Sequence, residues 1–184
     1  MQFDESKIYS TLGERSKSDN GEGFIESNQK VYDFDEITKE VANRYRNKKP
    51  AASCDALYLK DERHIYLFEF KNARKSHIGK NFCSQKAYDS ALTLLFAFYN
   101  NLSLEELRNR LYLVVVYNDD YVAEKEQESE HFQYFKNKLE SLAGVRDRTL
   151  FGLEAYQGVL YKKVITVEKD FFMEHIYKEI FGEE

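Results

Sequence analysis

A mixed β-sheet flanked by helices, of the α/β class, is the fold this sequence predicts, and three observations predict it. Two β-type runs, about Ser53–Lys60 and His64–Lys71, are separated only by Asp61-Glu62-Arg63, as in a hairpin. A long and very apolar helical stretch follows at about Phe82–Asn100. Leu111–Tyr117 is then a continuous apolar, valine-rich run, as an interior strand requires. Strand, buried helix and buried strand in that order predict a parallel crossover of the right-handed kind.

The elements follow along the chain. Residues 1–32 carry little periodicity, and Ser16–Gly23 is polar and glycine-containing, as in a loop. Asp33 or Asp35 is placed to cap a helix reaching about Asn47. Phe34, Ile37, Val41 and Tyr45 fall on one side of it, with Glu40 and Arg44 at the border. Pro50 disfavours helical geometry just before it and ends this helix. In the hairpin a three-residue turn sets Lys60 opposite His64. The ladder then pairs Leu59 with Ile65, Leu57 with Leu67 and Asp55 with Glu69. Tyr66, Phe68 and Phe70 are apolar as well, so the second strand is expected to be covered on both faces.

A basic loop with Arg74, Lys75, His77 and Lys80 comes next. On the long helix Ala87, Ala91, Leu94, Leu95 and Phe98 mark one side, and Leu92, Phe96 and Tyr99 nearly close the circle. Ser103-Leu104-Glu105-Glu106 predicts a short helical turn. Beyond the interior strand, Asp119–Glu130 reads as an acidic loop and His131–Leu142 as an amphipathic helix. Leu150–Tyr156 and Leu160–Val167 read as short strands, and about Lys169–Ile180 as a last helix.

With 184 residues, one proline and eight glycines, the chain is expected to be one domain, 1–184, with a core at about 33–118 and a C-terminal elaboration at about 119–184. The acidic first residues are unlike a secretory signal, and the longest apolar stretch, Ala91–Tyr99, is too short to span a bilayer. Two cysteines, Cys54 and Cys83, make no disulfide framework, so a cytoplasmic location is expected. The net charge of −5 is unevenly spread. Val41–Tyr88 holds 11 Lys/Arg against 4 Asp/Glu, a local +7, and the remainder holds 16 against 28. A basic track can steer a polyanion, although ordinary surface fluctuation also produces such asymmetry.

The chemistry of the chain gathers in that basic segment. Glu69-Phe70-Lys71 ends the second strand, and period-two alternation puts Glu69 and Lys71 on one face. Asp55, paired with Glu69, joins them. Two carboxylates and an ammonium at one strand end can hold a divalent metal and a water beside a phosphate. Mg²⁺ or Mn²⁺ on Asp55, Glu69 and the Phe70 carbonyl would relieve the repulsion of the two acids. Lys71 would orient or deprotonate the water, or bind the phosphate as a point charge. The plainer reading is a cross-strand salt bridge at a sheet edge. The aromatic neighbours of Glu69 argue instead for a strand interior, where an acid is costly unless paired or metal-bound.

Cys54-Asp55-Ala56-Leu57, then Phe68-Glu69-Phe70-Lys71-Asn72, then a helix near Gln85-Lys86-Ala87-Tyr88 resembles the PD-(D/E)xK nuclease-like (restriction endonuclease-like) superfamily over about residues 33–118. The resemblance implies a sheet flanked by helices and assigns Asp55, Glu69 and Lys71 the roles of metal acids and lysine. It adds Glu40 from the preceding helix, with Glu36 as competitor. It also gives Gln85 and Tyr88, here three apart rather than the usual four, a place near substrate. Cys54 stands where many members have proline. Lys86 lies beside Gln85 near a helix start, where an anion is favoured, so these two join Tyr88, which the resemblance implies, as the candidate substrate contacts. A solvated helix start is the ordinary alternative.

The four histidines are scattered without metal-type spacing, and Cys54 has no partnered histidine, so a small core residue is expected there. The expected activity is thus a magnesium-dependent nuclease, with DNA favoured over RNA as partner and no membrane. Two other readings stand beside it: a catalytically silent nuclease-like module that binds protein or nucleic acid, and an acidic, immunity-type interaction protein. A homodimer or a protein partner is compatible with either.

Overall fold

The computed structural model describes residues 8–17, 21, 23–46, 49–99, 101–118 and 149–182. Among the described residues six strands form one sheet in the order of the chain: β1 (Tyr9–Thr11), β2 (Lys30–Asp33), β3 (Ala56–Asp61), β4 (His64–Lys71), β5 (Leu111–Tyr117) and β6 (Lys163–Glu168). Pairing is antiparallel from β1 to β4 and parallel from β4 to β6. The sheet is therefore mixed, and β4 is where the two modes meet.

Helix α1 (Leu12–Arg15) follows β1, and α2 (Phe34–Arg44) follows β2 directly. Asp33 caps α2, accepting the Glu36 N–H at 3.1 Å. Helix α3 (Lys80–Ala97) connects β4 to β5, and the short α4 (Leu104–Arg108) starts with a capping box between Ser103 and Glu106. The chain ends in Lys169–Phe171, a π-helical Phe172–Ile176 and Tyr177–Phe181.

The alternation of β4 divides the core between two faces. Ile65 and Leu67 pack with Phe34 and Ile37 of α2 and with Ala87, Ala91 and Leu94 of α3. Tyr66, Phe68 and Phe70 pack on the opposite face with Phe172, Tyr177 and Ile180. Each large apolar side chain buried in this way contributes about 1.5–3 kcal/mol. Coverage of β4 on both faces, expected from its run of apolar residues, is what the structure has.

The hairpin differs from expectation in its turn. Asp61 rather than Lys60 faces His64, and the register shifts between Leu59 and Asp61 so that Leu59 still pairs with Ile65 and Leu57 with Leu67. The Asp61 carboxylate accepts the Arg63 N–H at 2.7 Å and contacts His64 Nδ1 at 2.8 Å. The tighter turn is closed by this side chain, and the bulge absorbs the extra residue.

Three further differences have local causes. Leu150–Tyr156 is not a strand: Phe151 and Gly152 have φ of 62° and 74°, and two left-handed residues in succession break extended backbone before the 3₁₀ turn Leu153–Tyr156. The strand expected from Leu160 begins at Lys163, because the Tyr156 carbonyl gathers the N–H groups of Val159, Leu160 and Tyr161 into a tight loop. β1 and β2 arise from the weakly patterned first residues, and at three and four residues they are too short to show an alternation. The acidic loop expected at Asp119–Glu130 and the helix at His131–Leu142 lie outside the described residues.

Candidate functional site

Asp55 sits one residue before β3, where that strand ends and β4 runs on. Its N–H donates to the Phe68 carbonyl at 2.9 Å, and its carboxylate Oδ2 accepts the Phe70 N–H at 2.7 Å. The side chain thus continues the ladder where the β3 backbone leaves off. In a strand the N–H and C=O of one residue point to the same edge. The Phe70 carbonyl is therefore directed to the edge that carries Asp55.

Glu69 shares the face of Ile65 and Leu67, beneath α3, and is 1% exposed. Burial of a carboxylate at that depth requires compensation, and removing one partner of such a buried pair costs about 3–5 kcal/mol. Two ammonium groups supply it. Lys71 Nζ lies 2.5 Å from Glu69 Oε1. Lys86 Nζ, reaching down from α3, lies 2.9 Å from both Glu69 oxygens and 3.2 Å from Asp55 Oδ1. One lysine therefore bridges the two acids. Glu69 Oε1 nonetheless accepts no well-directed hydrogen bond among the described residues.

The cluster is electrostatically tense. Burial, and then the charge of Glu69, push the Asp55 carboxyl up to about 7, against the pull of Lys86, the Phe70 N–H and Lys71. Burial alone would lower Lys86, but Asp55 and Glu69 outweigh it and hold the ammonium well above its ordinary range. Burial, with Glu69 next, raises the Cys54 thiol well above its usual value, and burial also raises Cys83. Both thiols are buried, which suits packing rather than reactivity.

Helix α3 also holds the segment that delivers Asp55. Ser90 Oγ accepts the Cys54 N–H at 2.9 Å, and Asp89 Oδ2 accepts the Ala52 N–H at 3.1 Å. Ser53 donates its hydroxyl to Asp35 of α2. A cleft of about 660 Å³ opens beside the cluster, lined in part by Asp35, Lys39, Lys49, Gln85, Lys86 and Asp89.

Asp55, Glu69, Lys71, Lys86 and the edge carrying the Phe70 carbonyl are thus brought together. Gln85 lines the neighbouring cleft, and Tyr88 is 48% exposed on α3. Glu40 is half-buried on α2 and, among the described residues, makes no hydrogen bond or ion pair with Asp55, Glu69 or Lys71. The α2 acid that reaches the cleft is Asp35, whereas Glu36 pairs with Lys39. Ser53, Asp89 and Ser90 escaped the sequence reading, and Asp35 entered it only as a possible helix cap. The available signal was Asp89-Ser90, a polar pair just before the apolar second half of the helix.

Among the described residues no group of three or more His, Cys, Asp and Glu side chains is placed to hold a metal ion. What converges is two carboxylates and one backbone carbonyl edge. Mg²⁺ is often held by one or two carboxylates, with water and substrate oxygens completing the shell. The donor set fits that pattern, with Lys86 standing between the two acids.

Comparison with known proteins finds no matching family model, no matching curated protein and no matching solved structure.

Proposed function

We propose that this chain is a metal-dependent phosphodiesterase with a PD-(D/E)xK-like, restriction endonuclease-like core, and that its substrate is DNA. The observation that carries the reading is the convergence of Asp55, Glu69 and Lys71 at the end of β4, with Glu69 buried, Asp55 partly exposed and the Asp55 carboxyl raised to about 7. Asp55, Glu69 and the Phe70 carbonyl would hold Mg²⁺ or Mn²⁺. The ion would supply Lewis acidity and a more acidic bound water.

The protein's own groups supply the rest. The Phe70 N–H fixes the Asp55 carboxylate, leaving Oδ1 directed at the cluster. An ammonium 2.5 Å from a carboxylate acts as a donor, so Lys71 is suited to orient water and to neutralise charge on a phosphoryl oxygen. Arg74 and Lys75, just past β4, and Lys39 and Lys49 at the cleft add positive charge along an approach for a polyanion.

The test is cleavage of plasmid and single-stranded DNA with Mg²⁺ or Mn²⁺. Wild type is expected to cut, and Lys71→Ala to cut about 100-fold more slowly or worse, the scale for loss of one donor to developing charge. An inactive wild type, or a Lys71→Ala protein as fast as wild type, refutes the reading.

A second reading rests on Lys86. With Lys71 it leaves the acid pair neutralised without any metal, as a catalytically silent binding module would have it. Such a module would show no Mn²⁺ site that disappears in Asp55→Asn.

A further inference from the structure

We propose that Lys86 is a tethered counter-ion that occupies the position between Asp55 and Glu69 until a divalent cation displaces it into the adjoining cleft. The inference rests on the metal-dependent reading and adds a control to it. Its basis is geometric. A single Nζ lies 2.9 Å from each Glu69 oxygen and 3.2 Å from Asp55 Oδ1, between the two carboxylates that a cation would have to share. Ammonium and metal cannot hold that place together, because the two would repel at contact distance with no oxygen between them.

The fold provides somewhere for the lysine to go. Lys86 lines the cleft as well as the cluster, and its side chain is 15% exposed. Asp89 lies three residues on along α3, a spacing at which side chains on one helix meet, and it lines the same cleft. Asp35 lies on the α2 side of that cleft. A lysine stem with four methylenes can rotate from one set of acids to the other without moving the helix. Displacement would then carry a positive charge out of the metal position and into the cleft where a substrate phosphate would approach. Metal loading and preparation of the phosphate site become one event.

Competition of this kind lowers apparent metal affinity by the fraction of molecules with the lysine withdrawn. If that fraction is about a tenth, removing the ammonium tightens binding about tenfold. Calorimetric titration with Mn²⁺ alone reads this directly. Lys86→Met, which keeps the stem and removes the charge, is expected to bind Mn²⁺ about tenfold more tightly than wild type. Its melting temperature should be lower than that of wild type in chelator and recover with Mn²⁺.

Equal affinities in the two proteins, or weaker binding by Lys86→Met, overturn the counter-ion role while leaving the metal site standing. Absence of an Asp55-dependent site in both proteins overturns the metal reading and this inference together. Should Lys86→Met fail to fold, wild type answers the question through amine acylation read by mass spectrometry. Lys86 is expected to be protected in chelator and to become reactive when Mn²⁺ saturates the site. Reactivity unchanged by Mn²⁺ overturns the proposal.

Discussion

At the scale of single residues, the site is a balance of two negative and two positive charges in a poorly hydrated place. Asp55 shows the strain most clearly. Its carboxyl is raised to about 7 by burial and by Glu69, whereas an unfolded aspartate titrates near 3.8. Between those values the folded protein takes up a proton that the unfolded chain does not. Asp55 therefore opposes folding above about pH 7, and stability is regained as pH falls through that value. Denaturant titrations in chelator check the sign. Moving from pH 8 to pH 5.5 should stabilise wild type relative to Asp55→Asn, and parallel responses of the two proteins would remove the cause assigned to this group. That Asp55 and Glu69 come together was legible in the sequence, because alternation fixes the face and the hairpin fixes the register, but the ladder itself ends at Ala56 opposite Phe68 and Asp55 joins β4 through its carboxylate and the Phe70 N–H. The direction of Lys86 was not, since periodicity places a residue on a helix but does not say which neighbour a long, flexible side chain will choose.

At the scale of elements, α3 does two jobs: it buries its apolar side against β4 and β5, and it holds the residues that precede β3. Ser90 is fully buried, and its hydroxyl is the acceptor for the Cys54 N–H. Ser90→Ala leaves that buried N–H without an acceptor and should cost about 1–3 kcal/mol, measured by urea denaturation. A change within a few tenths of a kcal/mol would mean that the segment before Asp55 is held by something else. The elements that sequence reading located well are the strongly patterned ones: α2, capped by one of the two aspartates considered, β4, α3 and β5. The misread ones share a physical feature. Phe151, Gly152 and the Tyr156 loop are governed by backbone angles and by a single carbonyl, neither of which leaves a mark on hydrophobic periodicity. Once folded, that region is anchored to α3 by Tyr161, whose buried hydroxyl donates to the Ala87 carbonyl at 2.6 Å.

At the scale of the molecule, the sheet changes from antiparallel to parallel pairing at β4, and the candidate site lies at the end of that strand. There β3 has stopped and leaves an edge for Asp55 and the Phe70 carbonyl to share. The mixed topology followed from the order of hairpin, long helix and buried strand, but its full extent did not. β1 and β2 extend the antiparallel half from a stretch of sequence without a usable pattern. Charge is arranged on the same scale, with the basic segment Val41–Tyr88 containing every residue of the cluster within an otherwise acidic chain. The account depends on that cluster being a place for a shared cation. The most direct measurement is anomalous scattering from crystals soaked in Mn²⁺. We predict one peak bound by Asp55 and Glu69, with Lys86 Nζ withdrawn toward Asp89. A map without a peak, in which Lys86 still bridges the two carboxylates at saturating Mn²⁺, would contradict it.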